Sequence, residues 1–214
     1  VWSAELIRGE IFELDSEPSR KLFDVQIQVQ NENELEKRNS EFRTPGGDLV
    51  LREFAEVQGA RFLKTRIEQL QTGENVVIRR LSDRELEFEV TDAKGKVDRK
   101  SDKFKRTLVM SSSFQNFIRE NWEAIKKGEK IEFDLGVWQR RQVLGFRLQR
   151  TGGSDQRHEI QMEIDNRLLR FLLPTAIEFV MDGSGKILSQ KGRVQPMVQK
   201  NGAWKDLDAH LIFQ

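Results

Sequence analysis

Cysteine is absent from the 214 residues. That excludes disulfides, thiolate metal sites, a cysteine nucleophile and a lipid-anchored N-terminal cysteine in the sequence as it stands. Histidine is nearly absent: His158 and His210 are the whole imidazole supply. A triad or zinc site would need other residues to converge on them, and both read as ordinary strand histidines. Tyrosine is missing too, although there are 14 phenylalanines. No apolar run approaches the roughly 18 residues of a membrane-spanning helix. Neither sign of charge dominates: Lys and Arg total 36 against 35 Asp and Glu. A net charge of +1 gives no general electrostatic reason to expect nucleic acid as a partner. The high, balanced charge reads as a solvated surface with outward strand positions filled by Arg, Lys, Glu and Gln. There is no linker rich in Pro, Gly or Ser, no low-complexity segment and no repeat of fixed period.

What is present is mostly alternation with period two. Lys21–Glu32 sets Phe23, Val25, Ile27 and Val29 against Asp24, Gln26, Gln28 and Gln30. That is an antiparallel strand wet on one side. Further strands are expected over Leu6–Asp15, Leu49–Val57, Ala60–Leu70, Glu74–Leu81, Glu85–Thr91, Lys96–Lys100 and Arg106–Met110. Beyond the middle of the chain come Lys130–Trp138, Gln142–Arg150, His158–Asp165, Ala176–Met181, Lys186–Val194 and Leu207–Phe213. Their short separators imply hairpins, with Asp182-Gly183-Ser184-Gly185 a strong hairpin signal. Leu35–Arg43 and Asn166–Leu173 stay ambiguous, since periodicity does not arbitrate over such short segments.

One stretch departs from this pattern. In Ser112–Gly128, residues Phe114, Phe117, Ile118, Trp122 and Ile125 fall on one helical face. Ser112 and Gln115 suit a capping box, and Gly128 suits a left-handed terminus. The expected fold is mainly β: a single domain over 1–214 with a large curved antiparallel sheet or open barrel. One amphipathic helix, about 112–127, packs on the concave face.

Candidate chemistry is sparse. Asp182–Lys186 hints at a calcium loop, but Arg193 stands where the closing acid belongs. The serines 111–113 lack a nucleophile elbow. Asp206 and Asp208, beside Trp204, are the acid pair best placed for general acid and base work, since i and i+2 share a strand face. Asn121 interrupts the apolar stripe of the helix, so it either bonds strand backbone or offers a polar contact in a pocket below. Arg140 and Arg141, after Trp138 at a strand end, could hold an anionic head group. The many inward phenylalanines read as a plain core or as the lining of an apolar cavity.

The run Ser113-Phe114-Gln115-Asn116-Phe117-Ile118-Arg119-Glu120-Asn121-Trp122 is followed by Gly128-Glu129, then by a strand into Arg140-Arg141 and Phe146-Arg147. This order, with the closing Gly192–Phe213 segment, resembles a family of uncharacterised proteobacterial proteins. The resemblance implies secretion and a place in the cell envelope. Many strands around a helix are also similar, at the level of fold, to the periplasmic lipoprotein carriers. That likeness implies an open barrel holding acyl chains beneath a helical lid.

The leading expectation is a non-enzymatic periplasmic protein, its signal peptide removed before Val1. It would bind an apolar or amphipathic ligand, such as a lipid or acylated envelope component, between sheet and helix. Trp122, Phe133, Trp138, Phe146, Phe171 and Phe179 would line the site, with Asn121 and Arg140 giving polar contacts. No cofactor or metal is expected, and no nucleic acid. The alternatives are an envelope scaffold binding another protein and, more remotely, a carboxylate-dependent hydrolase using Asp206 and Asp208.

Overall fold

Period-two alternation becomes strand after strand in the structure, a computed structural model that describes residues 3–14, 19–166 and 176–214. The first half contains β1 (Ser3–Glu13), β2 (Lys21–Glu32), β3 (Leu35–Arg43), β4 (Leu49–Gln58), β5 (Arg61–Gln69), β6 (Glu74–Ser82), β7 (Glu85–Thr91) and β8 (Val97–Lys103). After the short β9 (Leu108–Val109) comes the helical segment. Then follow β10 (Ile131–Val137), β11 (Gln142–Gly153), β12 (Arg157–Ile164), β13 (Ile177–Asp182), β14 (Ile187–Lys200) and β15 (Ala203–Phe213). Among the described residues all fifteen join one sheet, in the order β8-β7-β6-β5-β4-β3-β2-β1-β15-β14-β13-β12-β11-β10-β9. β1–β8 and β10–β15 are each a meander of antiparallel neighbours, and β1 against β15 joins the two. The ambiguous segment Asn166–Leu173 lies outside the described residues, apart from Asn166.

Hairpin chemistry follows the residue types. At the β14–β15 turn Asn201 and Gly202 both take positive φ, 54° and 75°, as a two-residue hairpin with matching twist requires. At the β13–β14 turn Asp182 Oδ1 accepts from the amides of Ser184 at 2.8 Å and Lys186 at 3.0 Å. The Asp-Gly-Ser-Gly stretch is thus a self-bonded turn. The ambiguous Leu35–Arg43 is a strand because β2 and β4 pair with it along its length. Its own polar, charged sequence carries little strand signal.

The helix is shorter and more broken than its apolar stripe implies. A 3₁₀ turn (Ser111–Ser113) leads into α1 (Phe114–Glu120), and α2 (Trp122–Lys126) follows after a break at Asn121. Asn121 has φ −105° and ψ 8°, and its side-chain amide donates to the Phe117 carbonyl at 2.9 Å. A side chain competing for an intrahelical acceptor bends a helix at that point. The expected Ser112–Gln115 capping box does not form. Ser113 Oγ instead accepts from the Met110 amide at 3.0 Å, while Gln115 reaches across to another hairpin. Gly128 does close α2, with φ +83° and amides of Gly128 and Glu129 bonded back to Ile125 and Ala124.

The sheet curls but its ladder does not close. The chain leaves the edge strand β8 and crosses to the opposite edge before forming β9, which pairs parallel to β10. Buried Asp134 of β10 holds this crossover: its Oδ2 accepts from the amides of Lys105 at 2.7 Å and Arg106 at 2.9 Å. Beside it β8 meets β11 through side chains. Asp102 accepts from the Val143 amide at 2.8 Å, and Asp98 pairs with Arg141.

Two packed cores result. One gathers Phe23, Phe42, Leu51, Phe62, Phe88 and Trp138 with their neighbours. The other joins the helix, through Phe114, Phe117, Ile118 and Trp122, to Phe133 and Phe146. Burial of this apolar surface is the main source of stability. Asp134→Ala leaves two amides of the crossover without their acceptor. It is expected to cost about 2–4 kcal/mol, taken from the desolvation penalty of unpaired buried groups. Urea unfolding reads this as a lower midpoint, and an unchanged midpoint would show that the crossover is held by other contacts.

Candidate functional site

Between the two cores lies a cavity of about 330 Å³ that opens to solvent. Phe42, Ile67, Met110 and Trp138 face it from the first core, and Phe114, Phe146, Ile177 and Phe179 from the second. It exists because the helix is short and tied to particular hairpins. Gln115 donates to the Gly185 carbonyl at 2.9 Å and accepts from the Ile187 amide at 3.0 Å, which clips α1 to the start of β14. Trp122 Nε1 donates to the Gly183 carbonyl at 2.9 Å in the same hairpin. On the other side Asn116 donates to the Gly59 carbonyl at 3.0 Å, and Glu120 accepts from the Ala60 amide at 2.8 Å. The helix therefore spans from the β4–β5 turn to the β13–β14 turn, and α1 forms one side of the cavity.

Of the residues that sequence pattern assigned to the site, four border the cavity: Trp138, Arg140, Phe146 and Phe179. Trp122 and Phe133 are buried in the second core instead, Trp122 edge-on to His158 and Phe133 among Phe114, Phe117 and Phe146. Asn121 spends its amide on the helix backbone. Phe171 lies outside the described residues. Asp206 and Asp208 both pair with Arg193, Asp208 at 2.7 Å. Among the described residues no cluster of three or more His, Asp or Glu is disposed to hold a metal.

Sequence reasoning missed the polar part of the wall. Glu53 of β4 borders the cavity and is only 4% exposed. Gln195 Nε2 donates to its Oε2 at 2.7 Å, and Ser111 Oγ to its Oε1 at 3.2 Å. Burial pushes the Glu53 carboxyl above its ordinary value; the bonds from Gln195 and Ser111 and the nearby Arg38 charge pull the other way and are outweighed. A signal for Glu53 was available. It stands in phase with Leu51, Ala55 and Val57, the inward residues of β4, while Phe54 points out and is 40% exposed. Gln195 offered none, because it sits in a bulge where β14 slips against β15 between Val194 and Met197.

Several buried polar atoms here lack partners. Among the described residues Trp138 Nε1, Gln195 Oε1 and Ser112 Oγ make no hydrogen bond, and all three residues border the cavity. Such atoms cost about 1–3 kcal/mol each when left unmet. The wall of the cavity is apolar for most of its area.

Comparison with family models finds no match, and neither does comparison with curated proteins. Solved structures similar to the chain include a beta-barrel-like protein of the domain of unknown function DUF1849 from Brucella abortus. That likeness has a TM-score of 0.46 at 10% identity and covers 99% of this chain and 94% of that one. A porin-like protein from Bacteroides uniformis is similar at a TM-score of 0.20 and 8% identity, over 98% of this chain and 95% of that one.

The Glu53 carboxyl has a direct consequence for stability. A folded pKa above the ordinary 4.5 means that the native state holds the proton more tightly than the unfolded chain. The associated stabilisation is complete below the ordinary value and is lost as pH rises through the folded one. Glu53→Gln keeps the shape without the ionisation. At about pH 8 it is expected to melt above the wild type, because the buried carboxylate no longer has to ionise. The gap should narrow towards about pH 5, where glutamate in both states is nearer its protonated form. A pH-independent difference in melting temperature would contradict this assignment.

Proposed function

We propose that this protein binds an apolar or amphipathic ligand in the cavity between the curved sheet and α1, as a non-enzymatic component of the periplasm. The observation that carries the reading is the cavity itself. About 330 Å³ of open space with mostly apolar walls falls within the range of small-molecule sites, about 300–1,000 Å³. A solid core beneath the helix would have argued for a scaffold. The large exposed apolar side chains, among them Leu6, Phe54, Leu81 and Trp204, are spread over separate strands and turns, which gives the scaffold reading little support. The hydrolase reading finds its acid pair engaged by Arg193, which ion-pairs with both Asp206 and Asp208. Placement in the envelope rests on the resemblance of the helix segment and closing strands to proteobacterial envelope proteins. A lipid or an acylated envelope component suits the walls.

Native mass spectrometry of the purified protein, followed by organic extraction, tests the reading. A lipid or other apolar molecule at near-stoichiometric amount is expected. Ile187→Trp pushes a larger ring into the space beside α1 and should lower that occupancy at least several-fold. Overpacking there is expected to cost about 1–3 kcal/mol or less, because the side chain enters empty volume. A bare mass from the wild type, or equal occupancy in the variant, would count against the cavity as the binding site.

A further inference from the structure

The charge around the cavity is not the charge of the chain. Over the whole sequence Lys and Arg only match Asp and Glu, 36 against 35. Among the described residues that border the cavity, five are Lys or Arg and three are Asp or Glu. Several of these charges are already spent. Arg193 is ion-paired with Asp206 and with Asp208 beside it, and Arg38 with Glu36. Glu53 is bonded to Gln195 and Ser111, and burial holds its carboxyl towards the neutral form. Arg140, engaged elsewhere, adds its charge from the β10–β11 turn. Among the described residues Arg119 and Lys186 have no ion-pair partner. Asp182 lies close enough to Lys186 to feel its charge, but its Oδ1 is spent on the turn. The remaining acid of the wall, Glu5, stands in the row Glu5-Val29-Arg38 across β1, β2 and β3, on strands remote from the β13–β14 turn that carries Lys186.

The helix brings the two uncommitted cations to one rim. Gln115 is bonded to Gly185 and Ile187, the residues on either side of Lys186. Arg119 follows Gln115 by four residues and so lies on the same face of α1. Asn116, beside Gln115, accepts from Arg38 at 3.2 Å, which adds a third positive side chain to this end of the cavity. Arg119 is exposed and Lys186 half-buried, so both keep contact with water while bordering the cavity. An ionic head held there stays partly hydrated and avoids most of the desolvation cost of a buried charge. A guanidinium offers a carboxylate two parallel donors, and an ammonium adds a point charge. Inward of this rim the wall turns to Phe114, Phe146 and Phe179, and a cavity near the lower end of the ligand-site range suits one chain better than two.

We propose that the occupant is a single-chain amphipath with an anionic head, of the long-chain carboxylate kind, its head held at the α1 rim by Arg119 and Lys186 and its chain lying against Phe114, Phe146 and Phe179. A cationic head would meet the same two side chains as repulsion, and a neutral one would gain only ordinary hydrogen bonds from them. This inference rests on the cavity reading above and adds head-group selectivity to it.

The test is calorimetric titration of the delipidated full chain with dodecanoate and, separately, with 1-monododecanoylglycerol, below their aggregation limits and at about pH 7.5, where dodecanoate is ionised. Dodecanoate is expected to bind at least about tenfold more tightly. Equal or tighter binding of the neutral lipid overturns the head-group inference while leaving the cavity reading in place. Binding of neither probe overturns both. The double variant Arg119→Gln with Lys186→Gln, checked for folding by far-ultraviolet circular dichroism, should weaken dodecanoate about tenfold or more and leave the neutral lipid within about twofold of its wild-type affinity. The neutral lipid thus reports whether the cavity survives the substitutions. An unchanged dodecanoate affinity in the variant, or a parallel loss of both probes, would show that the head is not read by charge at this rim, and the inference would fail on that ground alone.

Discussion

A sheet this broad has an apolar face that must be hidden, and very little to hide it against. The helical segment is only 3₁₀ turn, α1 and α2, too small to cover fifteen strands. The sheet must therefore curl and bury much of its inner face against itself. Yet the two edges do not join by a ladder. They are brought together by side chains: Asp134 accepts from the crossover amides, Asp102 accepts from the Val143 amide, and the Asp98 carboxylate pairs with the Arg141 guanidinium. An edge closed in this way is protected from pairing with other chains, because β8 is charged along nearly its whole length and its neighbour is already engaged.

The helix acts as a strut rather than a plug. Its apolar stripe packs into one core, while its polar residues reach sideways to two hairpins. The contact with the β13–β14 turn is close enough to fix a residue type. A Cβ on Gly185, at φ +82°, would come within 2.7 Å of the Trp122 ring. Because the strut is anchored at its ends, it leaves space beside α1 that side chains from several strands line without filling.

Much of this was legible in the sequence. The alternation of Phe23, Val25, Ile27 and Val29 specified β2, and Gly128 specified the end of the helix, because local chemistry alone decides those features. The open sheet with one packed helical segment followed from the same pattern. Other features depend on partners far along the chain. Leu35–Arg43 is a strand only because β2 and β4 flank it. The helix breaks at Asn121 because an amide side chain wins the Phe117 carbonyl. The aromatic residues of the site divided between wall and core according to curvature, which no periodicity encodes: Phe146 and Phe179 face the cavity, while Phe133 turns into the packing beside it. The polar wall was half-legible. Glu53 kept the inward phase of β4, whereas Gln195 was hidden by a bulge.

Strand β14 carries two register slips, one at Leu188 and one at Gln195–Pro196, and a glutamine side chain stands at each. Gln115 bonds the Ile187 amide, and Gln71 bonds both the amide and the carbonyl of Met197, at 2.8 Å each. The side-chain amides take over backbone bonds at points where the slips interrupt the ladder. Between these two fastenings the strand forms part of the cavity wall, through Gln190, Val194 and Gln195. A panel pinned at both ends passes load to its fixings. Pressure on the wall from inside would therefore be felt at α1 through Gln115 and at the β5–β6 turn through Gln71. Both fixings lead to the outside of the molecule, where Arg119 and Leu70 are exposed, so a filled interior and an empty one could be told apart by touch from without.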